Sequence, residues 1–480
     1  MIQTENLQDQ ALIDRWVQAG QEHVFRFWER LAEPERAELL DQLRGIPLEV
    51  VESLIERHLG DGTHELRPPP TAVDLEPAPY VPSPTTAGEK AKIALRKSLG
   101  EEAIAAGRVG VLLVAGGQAT RLGLDAPKGA LPITPIAKKS LFRVFAERIR
   151  GLERRYGTRL PIFVMTSEGN EAETVRFLRE NAWFRLDPDQ ITFFPQGNLP
   201  AVDRQGKIVL VSPSRVFLSP DGHGGVVDAL ARSGSFDRMK KLGVEEIFYF
   251  QVDNPLVKIA DPVFIGHHLH EKAQVSTKVV MKRDAAEKVG ILTLSGGKMR
   301  VVEYGEIPKS IAGAKEPDGR LRYRAGNTAI HVFSRAFLER VAYGDFYLPH
   351  HAALKKVPVL DDEGQATEPA EPNGIKFERF VFDVLPFAER AIAVETRRED
   401  EFAPVKNLEG ADSPATTRQA MIDLYGRWLE KAGIEVPRSA EGHVQGLLEI
   451  GPLYALDEEE FLEKVQRNLR FEGRLLLDED

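Results

Sequence analysis

The sequence predicts a Rossmann-like, doubly wound α/β fold with a mixed sheet, a helical amino-terminal region and a small carboxyl-terminal α+β domain. From residue 108 onward, short apolar strands alternate with amphipathic helices. Strands buried on both faces and joined by helices are typical of a mostly parallel sheet. After residue 275 strands predominate, which adds antiparallel pairs to the sheet. Ligands of such sheets bind at the carboxyl ends of the strands, so candidate site residues are sought there.

Each element has its own signal in the pattern. Residues 1–66 carry apolar side chains at helical spacing, among them Val24, Phe27 and Leu31. Apolar, β-branched runs predict the strands, and stripes with a period of 3.6 residues predict the helices. The predicted strands are 109–115, 162–166, 191–194, 246–252, 275–281, 327–333 and a hairpin within 290–304 that turns at Gly296 and Gly297. The predicted helices are 141–152, 171–181, one that follows Gly225, and 414–432.

Length and proline content predict the domain organisation. A chain of 480 residues is long enough for about three domains. Seven prolines between residues 67 and 86 favour an extended connector. We therefore expect a helical region at 1–95 that includes this connector, a central domain at 96–405 and a small domain at 406–480.

Composition excludes several classes of protein. The chain has no cysteine, which excludes thiol nucleophiles, Cys-ligated metals and disulfides. Its first residues do not form a signal peptide, and no apolar run approaches the roughly 20 residues that span a bilayer. We expect a cytoplasmic protein without a membrane partner. The net charge of −10 argues against nucleic-acid binding, which needs a basic surface.

One window departs from this acidic balance. Between residues 108 and 143, six basic side chains stand against one acidic side chain, Asp125. The window contains the segment AGGQATRLGLDAPKG, residues 115–129, which directly follows the first predicted strand. Paired glycines there allow positive φ and close approach of backbone N–H groups to a ligand, and Arg121 and Lys128 supply positive charge. The segment predicts a phosphate-binding loop; the alternative is a glycine-rich turn with two solvated cations. It matches neither a Walker A loop nor the dinucleotide-binding GxGxxG pattern.

This loop resembles the nucleotide-binding signature of the UDP-sugar pyrophosphorylases, and later segments resemble the UDP-N-acetylhexosamine branch of that family in the same order. The similarity runs from about residue 105 to about residue 410. The later segments are FFPQGNLPA (193–201), SPDGHGG (219–225), QVDNPLVKIADPVFIG (251–266), VGILTLSGGKMRVVEYGEI (289–307), AGNTAIHVF (325–333), PNGIKFERFVFD (372–383) and REDEFAPVKN (398–407).

The resemblance implies a nucleotidyltransferase fold of the GT-A-like kind and a catalytic domain at 96–405. The implied reaction makes UDP-N-acetylglucosamine and pyrophosphate from UTP and N-acetylglucosamine 1-phosphate, by in-line attack on the α-phosphate with Mg²⁺ or Mn²⁺ as cofactor. Two alternatives stay open. The sugar could instead be glucose, galactose or N-acetylgalactosamine 1-phosphate, or the protein could bind nucleotide sugars without catalysis.

Residue roles are carried over from matching positions of the family. Asp253 is the implied metal ligand, and it also ends an apolar strand, where packing gives a carboxylate no reason to be; a helix cap is its alternative role. Asn254 beside it receives no ligand role. The implied catalytic residues, which contact phosphates, are Arg121, Lys128, Lys376 and Lys406. The implied substrate-binding residues are Gly116, Gly117, Gln196, Gly222 and His223 for the nucleotide, and Gly290, Glu303, Tyr304 and Asn327 for the sugar.

The sequence departs from the family pattern at two of these positions. Ala119 replaces the third glycine of the loop, so the loop there is either right-handed or strained by about 1–2 kcal/mol. His223 stands where the N-acetylhexosamine enzymes have asparagine and the glucose enzymes more often have histidine, which makes the sugar an open question.

Overall fold

The fold is taken from a computed structural model, which describes residues 2–59 and 74–479. Within them the α-helices, in chain order, are α1 Leu7–Gln18, α2 Glu33–Gly45, α3 Leu48–His58, α4 Ala87–Ala105, α5 Leu141–Tyr156, α6 Glu171–Glu180, α7 Val226–Arg232, α8 Ser235–Lys241, α9 Pro262–His270, α10 Lys309–Ala312, α11 Arg335–Tyr343, α12 Arg398–Glu401, α13 Pro414–Lys431 and α14 Glu458–Lys464. Short 3-10 segments are Glu22–Phe25, Trp28–Arg30, Thr120–Leu122, Lys128–Ala130, Ala182–Arg185, Pro188–Gln190, His223–Gly225 and Val381–Phe387.

The strands of the same residues are β1 Glu76–Pro77, β2 Val109–Val114, β3 Ile162–Thr166, β4 Ile191–Pro195, β5 Asn198–Pro200, β6 Val202–Asp203, β7 Leu210–Ser212, β8 Arg215–Val216, β9 Leu218–Pro220, β10 Glu246–Gln251, β11 Val275–Met281, β12 Ile291–Ser295, β13 Lys298–Val302, β14 Ala325–Ser334, β15 His351–Lys355, β16 Val359–Leu360, β17 Ala366–Thr367, β18 Gly374–Glu378, β19 Ala391–Glu395, β20 Leu447–Ile450 and β21 Arg474–Leu477. All the predicted strands and helices from residue 108 onward are present. The predicted helix 141–152 extends to Tyr156.

The chain forms two compact units. The larger unit comprises the described residues of 72–195, 226–346 and 384–480. The smaller unit comprises the described residues of 1–71, together with 196–225 and 347–383. The division into domains at residues 95 and 405 stays a prediction.

The larger unit is built on one mixed sheet. Strands β10, β2, β3 and β4 are neighbours in that order and run parallel. Strand β14 pairs antiparallel with β10, β11 and β12, and β13 completes the predicted hairpin with β12. The predicted fold class, a doubly wound mixed sheet, is confirmed.

Both faces of the parallel strands are buried. Val111 and Leu113 of β2 face a core that they share with α5, whereas Leu112 between them is also buried. Helix α5 begins where the Ser140 side chain accepts a hydrogen bond from the Arg143 N–H, and it ends at Gly157, whose φ is 64°. These caps and the apolar stripe of α5 explain why this segment forms a helix.

The carboxyl-terminal part of the larger unit is α+β, as predicted. Strands β20 and β21 pair in parallel. In the chain, helix α13 precedes β20, and helix α14 lies between β20 and β21. Phe461 of α14 and Leu429 of α13 are fully buried in the core that also contains residues of β2. Asp74 is in a turn with φ 62°, and the part of the connector after it is extended, as predicted, and pairs through β1 with β12.

The smaller unit joins the amino-terminal helices to two later segments. Helices α1, α2 and α3 are present, as the helical period of the sequence predicts; residues 60–73, with the end of that region and the first part of the connector, lie outside the described residues. Trp16 and Leu39 pack in one core with Leu199 and Phe377 of the later segments. Strand β18 is the centre of a three-stranded sheet with β15 and β6. No helix within residues 2–59 and 74–479 is long and apolar enough to cross a membrane.

Candidate active site

The loop that follows β2 leaves an open space beside its backbone. A Cβ atom added to Gly117 would meet no other atom within 4 Å. Neither Gly116 nor Gly117 has a positive φ, so the loop does not use the left-handed backbone that glycine would allow there. Gly123 has that conformation instead, with φ 74°. What the paired glycines provide is access, because no side chain covers the backbone where a ligand could approach.

Hydrogen bonds close the loop on itself and bring Lys128 next to the glycines. The N–H of Lys128 donates to the carbonyl of Gly117 at 3.1 Å, and the N–H of Ala119 donates to the carbonyl of Ala126 at 3.0 Å. Ala119 has φ −96°, and its methyl group is fully buried in the core. The loop is therefore right-handed at Ala119, and the replacement of the third glycine causes no strain there.

A buried asparagine, in the turn between the neighbouring strand β3 and helix α6, fixes the loop. Asn170, which precedes α6, donates from Nδ2 to the carbonyls of Ala115 at 2.9 Å and Gly117 at 3.4 Å. Its Oδ1 accepts from the N–H of Ser167 at 2.8 Å. Sequence reasoning missed this residue. Its one signal, an asparagine just before a helix, indicates only a helix cap.

Three of the predicted phosphate-site residues lie together at the carboxyl edge of the parallel strands. The Nζ atom of Lys128 is 3.7 Å from Oδ2 of Asp253, and the two side chains are 17% and 14% exposed. Asp253 follows β10, which is the parallel neighbour of β2. The N–H of Val405 donates to the carbonyl of Asp253 at 2.8 Å, which brings the backbone of Lys406 to the same place. Arg121 is exposed on the closed loop.

Three of the predicted sugar-site residues also lie together in the larger unit. The N–H of Asn327 donates to the carbonyl of Gly290 at 2.8 Å. A Cβ atom at Gly290 would lie 2.9 Å from Oε1 of Glu303, so this position needs glycine for the carboxylate to keep its place. Oδ1 of Asn327 accepts from the N–H of Ala329, whose φ is 57°. Tyr304 is 52% exposed at the rim of this group.

Strand direction explains why the two groups share one edge of the sheet. Strand β14 is antiparallel to β10, with Tyr249 opposite His331. Asn327, which precedes His331 on β14, therefore lies at the edge where β10 ends and Asp253 follows. Burial raises the pKa of Tyr249, and the Asp253 charge acts in the same direction, so this phenol stays neutral.

The other predicted residues belong to the smaller unit, where Gln196 and Gly222 come together. The N–H of Asp221 donates to the carbonyl of Gly197 at 2.9 Å. Gly222 has φ 85°, and a Cβ atom there would lie 2.4 Å from the carbonyl oxygen of Arg379. An ion pair between Arg379 and Asp221 joins the residue that follows β18 to the residue that follows β9. The sequence motif predicted the glycine but not this ion pair.

His223 is fixed by an aromatic cluster in the same unit. Its Nδ1 accepts from the N–H of Val381 at 3.1 Å, so the ring proton is on Nε2. The ring stacks on Phe380 and meets the edge of Phe382, with centroids 5.3 and 5.6 Å away. Lys376 lies on β18 with Nζ 4.7 Å from the ring centroid of Phe217. The smaller unit thus presents an Nε2–H donor and a lysine.

Comparisons with known proteins agree with this chemistry. Residues 81–425 match the family described as UTP--glucose-1-phosphate uridylyltransferase. The chain is 39% identical to the UDP-N-acetylhexosamine pyrophosphorylase-like protein 1 of Homo sapiens, over 98% of this chain and 97% of that protein. It is 38% identical to the UDP-N-acetylglucosamine pyrophosphorylase of Saccharomyces cerevisiae, over 87% of this chain and 90% of that protein.

A solved structure gives the same result for the fold. The uridine diphosphate N-acetylglucosamine pyrophosphorylase of Trypanosoma brucei, crystallised with an inhibitor, is similar over 100% of both chains. The TM-score is 0.79 and the sequence identity is 27%. The resemblance identified in the sequence and the enzyme class that it implies, a nucleotidyltransferase, are confirmed. The chain belongs to the UTP--glucose-1-phosphate uridylyltransferase family.

Proposed function

We propose that this protein transfers the uridylyl group of UTP to N-acetylglucosamine 1-phosphate, giving UDP-N-acetylglucosamine and pyrophosphate. The observation that carries the proposal is the placement of Lys128 and Asp253, 3.7 Å apart, beside the open backbone of Gly117. A cation, a carboxylate and accessible N–H groups at one strand edge are what a nucleoside triphosphate needs. The choice of sugar is supported by the names of the two relatives.

The reaction needs positioning and charge neutralisation more than covalent catalysis. An oxygen of the sugar phosphate attacks the α-phosphorus of UTP. A new P–O bond forms as the bond from the α-phosphorus to the β-phosphate oxygen breaks, and pyrophosphate leaves with that electron pair. Lys128 and Arg121 neutralise the β- and γ-phosphates, and Lys376 and Lys406 approach the phosphates that react.

Substrate binding is divided between two sets of residues. Gln196 and the backbone of Gly222 bind the uracil edge, which a carboxamide matches with both a donor and an acceptor. His223 donates from Nε2–H to a phosphate or a ribose hydroxyl. Gly290, Glu303 and Asn327 bind the sugar and its N-acetyl group, and Tyr304 forms a wall of that site.

The carboxylate of Asp253 suits Mg²⁺ or Mn²⁺. Mg²⁺ is bound by one or two carboxylates together with waters and substrate phosphates, so a single carboxylate at the phosphate site fits it. In the described part of the chain no group of three His, Asp or Glu side chains forms a complete metal site. Asp253 would hold the ion, which neutralises phosphate charge when bound. The partners are thus UTP and a sugar 1-phosphate, and a cytoplasmic location stays a prediction.

A pyrophosphate-release assay tests the function. The full-length protein is incubated with UTP, Mg²⁺ and one of four sugar 1-phosphates, those of N-acetylglucosamine, N-acetylgalactosamine, glucose and galactose. We expect the largest kcat/KM with N-acetylglucosamine 1-phosphate. Release with glucose 1-phosphate alone would contradict the proposed sugar. If UTP and its analogues bound but no sugar gave pyrophosphate, the protein would be a nucleotide-binding protein and the enzymatic proposal would be wrong.

A further inference from the structure

A buried polar network lies behind the phosphate site of the larger unit. The side chain of Lys278, on β11, is 3% exposed and that of Glu401 is 0% exposed. Nζ of Lys278 donates to both carboxylate oxygens of Glu401 at 2.6 Å and to Oδ2 of Asp261 at 2.6 Å. Burial opposes the charge of Lys278, but the two carboxylates outweigh it and hold its pKa above the ordinary value. A buried network of this kind contributes little net stability, yet it fixes the position of its members.

Glu401 of this network and the neighbouring Asn254 hold separate segments of the chain together. Oε1 of Glu401 accepts from the N–H of Lys258 at 3.1 Å, and its main-chain carbonyl accepts from Nδ2 of Asn254 at 2.7 Å. Oδ1 of Asn254 accepts from the N–H of Ala403 at 3.2 Å. The loop after β10 and the segment that leads to Lys406 are therefore held side by side through one buried carboxamide.

These hydrogen bonds lie next to the proposed phosphate site. Asp253 directly precedes Asn254, and its carbonyl accepts from the N–H of Val405, the residue before Lys406. Each segment thus carries one charged side chain of the site immediately next to a hydrogen-bonded anchor. No ligand role is predicted for Asn254 from the sequence, because a side chain that binds only backbone has no motif of its own.

We propose that Asn254 is a positioning residue that sets the spacing between the Asp253 carboxylate and the Lys406 ammonium. This inference rests on the proposed function, in which both charges act on the phosphates. Removal of the carboxamide leaves the carbonyl of Glu401 and the N–H of Ala403 without their partner, so the two segments shift relative to each other. A misplacement of about 1 Å in such a site can lower the rate about 100-fold.

A double-mutant cycle tests the proposal on the full-length enzyme. The variants are Asn254→Ala, Lys406→Ala and the double variant, assayed for kcat and KM of both substrates at saturating Mg²⁺, and for UTP affinity by calorimetry without metal. We expect Asn254→Ala to lower kcat about 10-fold to 100-fold in the wild-type background and less than 3-fold in the Lys406→Ala background. Calorimetric stoichiometry corrects each rate for the fraction of folded protein.

A matched control separates positioning from stability. Gln190 is also a buried carboxamide that donates to a backbone carbonyl, that of Leu160, but it lies before β4 at the opposite edge of the sheet. We expect Gln190→Ala to lower Tm about as much as Asn254→Ala does, with kcat per folded molecule unchanged. If Asn254→Ala lowered kcat by the same factor in both backgrounds, this inference would be overturned and the proposed function would stand. A wild-type protein that neither bound UTP nor released pyrophosphate would overturn the proposed function and the inference with it.

Discussion

The ammonium of Lys128 and the carboxylate of Asp253 lie 3.7 Å apart at the ends of two neighbouring parallel strands. Each is only partly exposed, so each is neutralised by the other when no phosphate is present. A triphosphate with a bound cation brings a partner for both groups. The two side chains can therefore separate and bind a ligand. The open backbone of Gly117 beside them favours this role over that of a purely structural ion pair.

The first prediction concerns this pair. Lys128→Ala and Asp253→Asn should each lower kcat by about 10²–10³-fold, because each removes a charge aimed at the reacting phosphates. Each substitution leaves the other charge largely buried and unpaired, so Tm should fall, and kcat is therefore counted per folded molecule as measured by circular dichroism. Lys138→Ala, an exposed lysine of the same basic window, is the control and should keep full activity. If either site variant kept half the wild-type kcat, the phosphate site would lie elsewhere.

The second prediction contrasts two glycines. A methyl group at Gly117 meets open space and no backbone strain, so Gly117→Ala should leave Tm unchanged and raise KM for UTP about 10-fold by blocking the approach of a phosphate. Gly222→Ala should instead lower the free energy of unfolding by about 2 kcal/mol or more, from positive φ and a clash with the carbonyl of Arg379. Thermal melts and UTP titrations distinguish the two effects. A Gly117→Ala variant with normal KM would show that the nucleotide does not approach this backbone.

The third prediction concerns strain after α6. Residues Ala182, Trp183, Phe184 and Arg185 all have positive φ, between 49° and 65°. Left-handed backbone costs a residue with a side chain about 1–2 kcal/mol, so Arg185→Gly should stabilise the protein by roughly 1 kcal/mol and raise Tm. Arg179→Gly, an exposed arginine inside α6, is the matched control and should destabilise by about 1 kcal/mol. The same direction for both substitutions would contradict a left-handed turn.

The fourth prediction is a pH dependence at the start of α4. Hydrogen bonds from the backbone N–H groups of Thr86 and Thr85 lower the pKa of Glu89 from 4.5 to about 2. A lowered pKa stabilises the fold above about pH 4.5, and the contribution disappears as the pH falls towards 2. Glu89→Ala should therefore lower Tm at pH 7, and the difference from wild type should shrink between pH 4.5 and the lowest pH at which the protein stays folded. Glu102→Ala, at an exposed position of the same helix, serves as the control. A difference that stayed constant over this range would exclude the cap.

The sequence predicts the elements of the larger unit well, because its strands and helices have clear periods. The position of the glycine loop is also predictable, since β2 ends at Val114, just before Ala115 and Gly116, and basic side chains follow. The backbone conformation of the loop glycines could not be predicted. Their φ values depend on the hydrogen bonds that close the loop, and these join Gly117 to Lys128 across a segment without regular pattern.

Residues that act through backbone contacts could not be predicted. Asn170 and Asn254 each hold a loop by bonds to main-chain carbonyls, and any sequence can supply a carbonyl. The smaller unit could not be predicted either, because Trp16, Leu199 and Phe377 share a core although no local period connects them. Such contacts arise only from the packing of distant segments.

The reversed direction of β14 has a consequence for how the enzyme can diversify. The proposed phosphate-site residues Lys128 and Asp253 follow the ends of β2 and β10. Asn327 lies near the beginning of β14, after the excursion of the chain between β13 and β14. Under the proposed function, a change in that excursion would be expected to affect the sugar that is accepted without altering the connections that hold Lys128 and Asp253. Sugar recognition and phosphate chemistry would then lie in separate stretches of chain, so that one could change independently of the other.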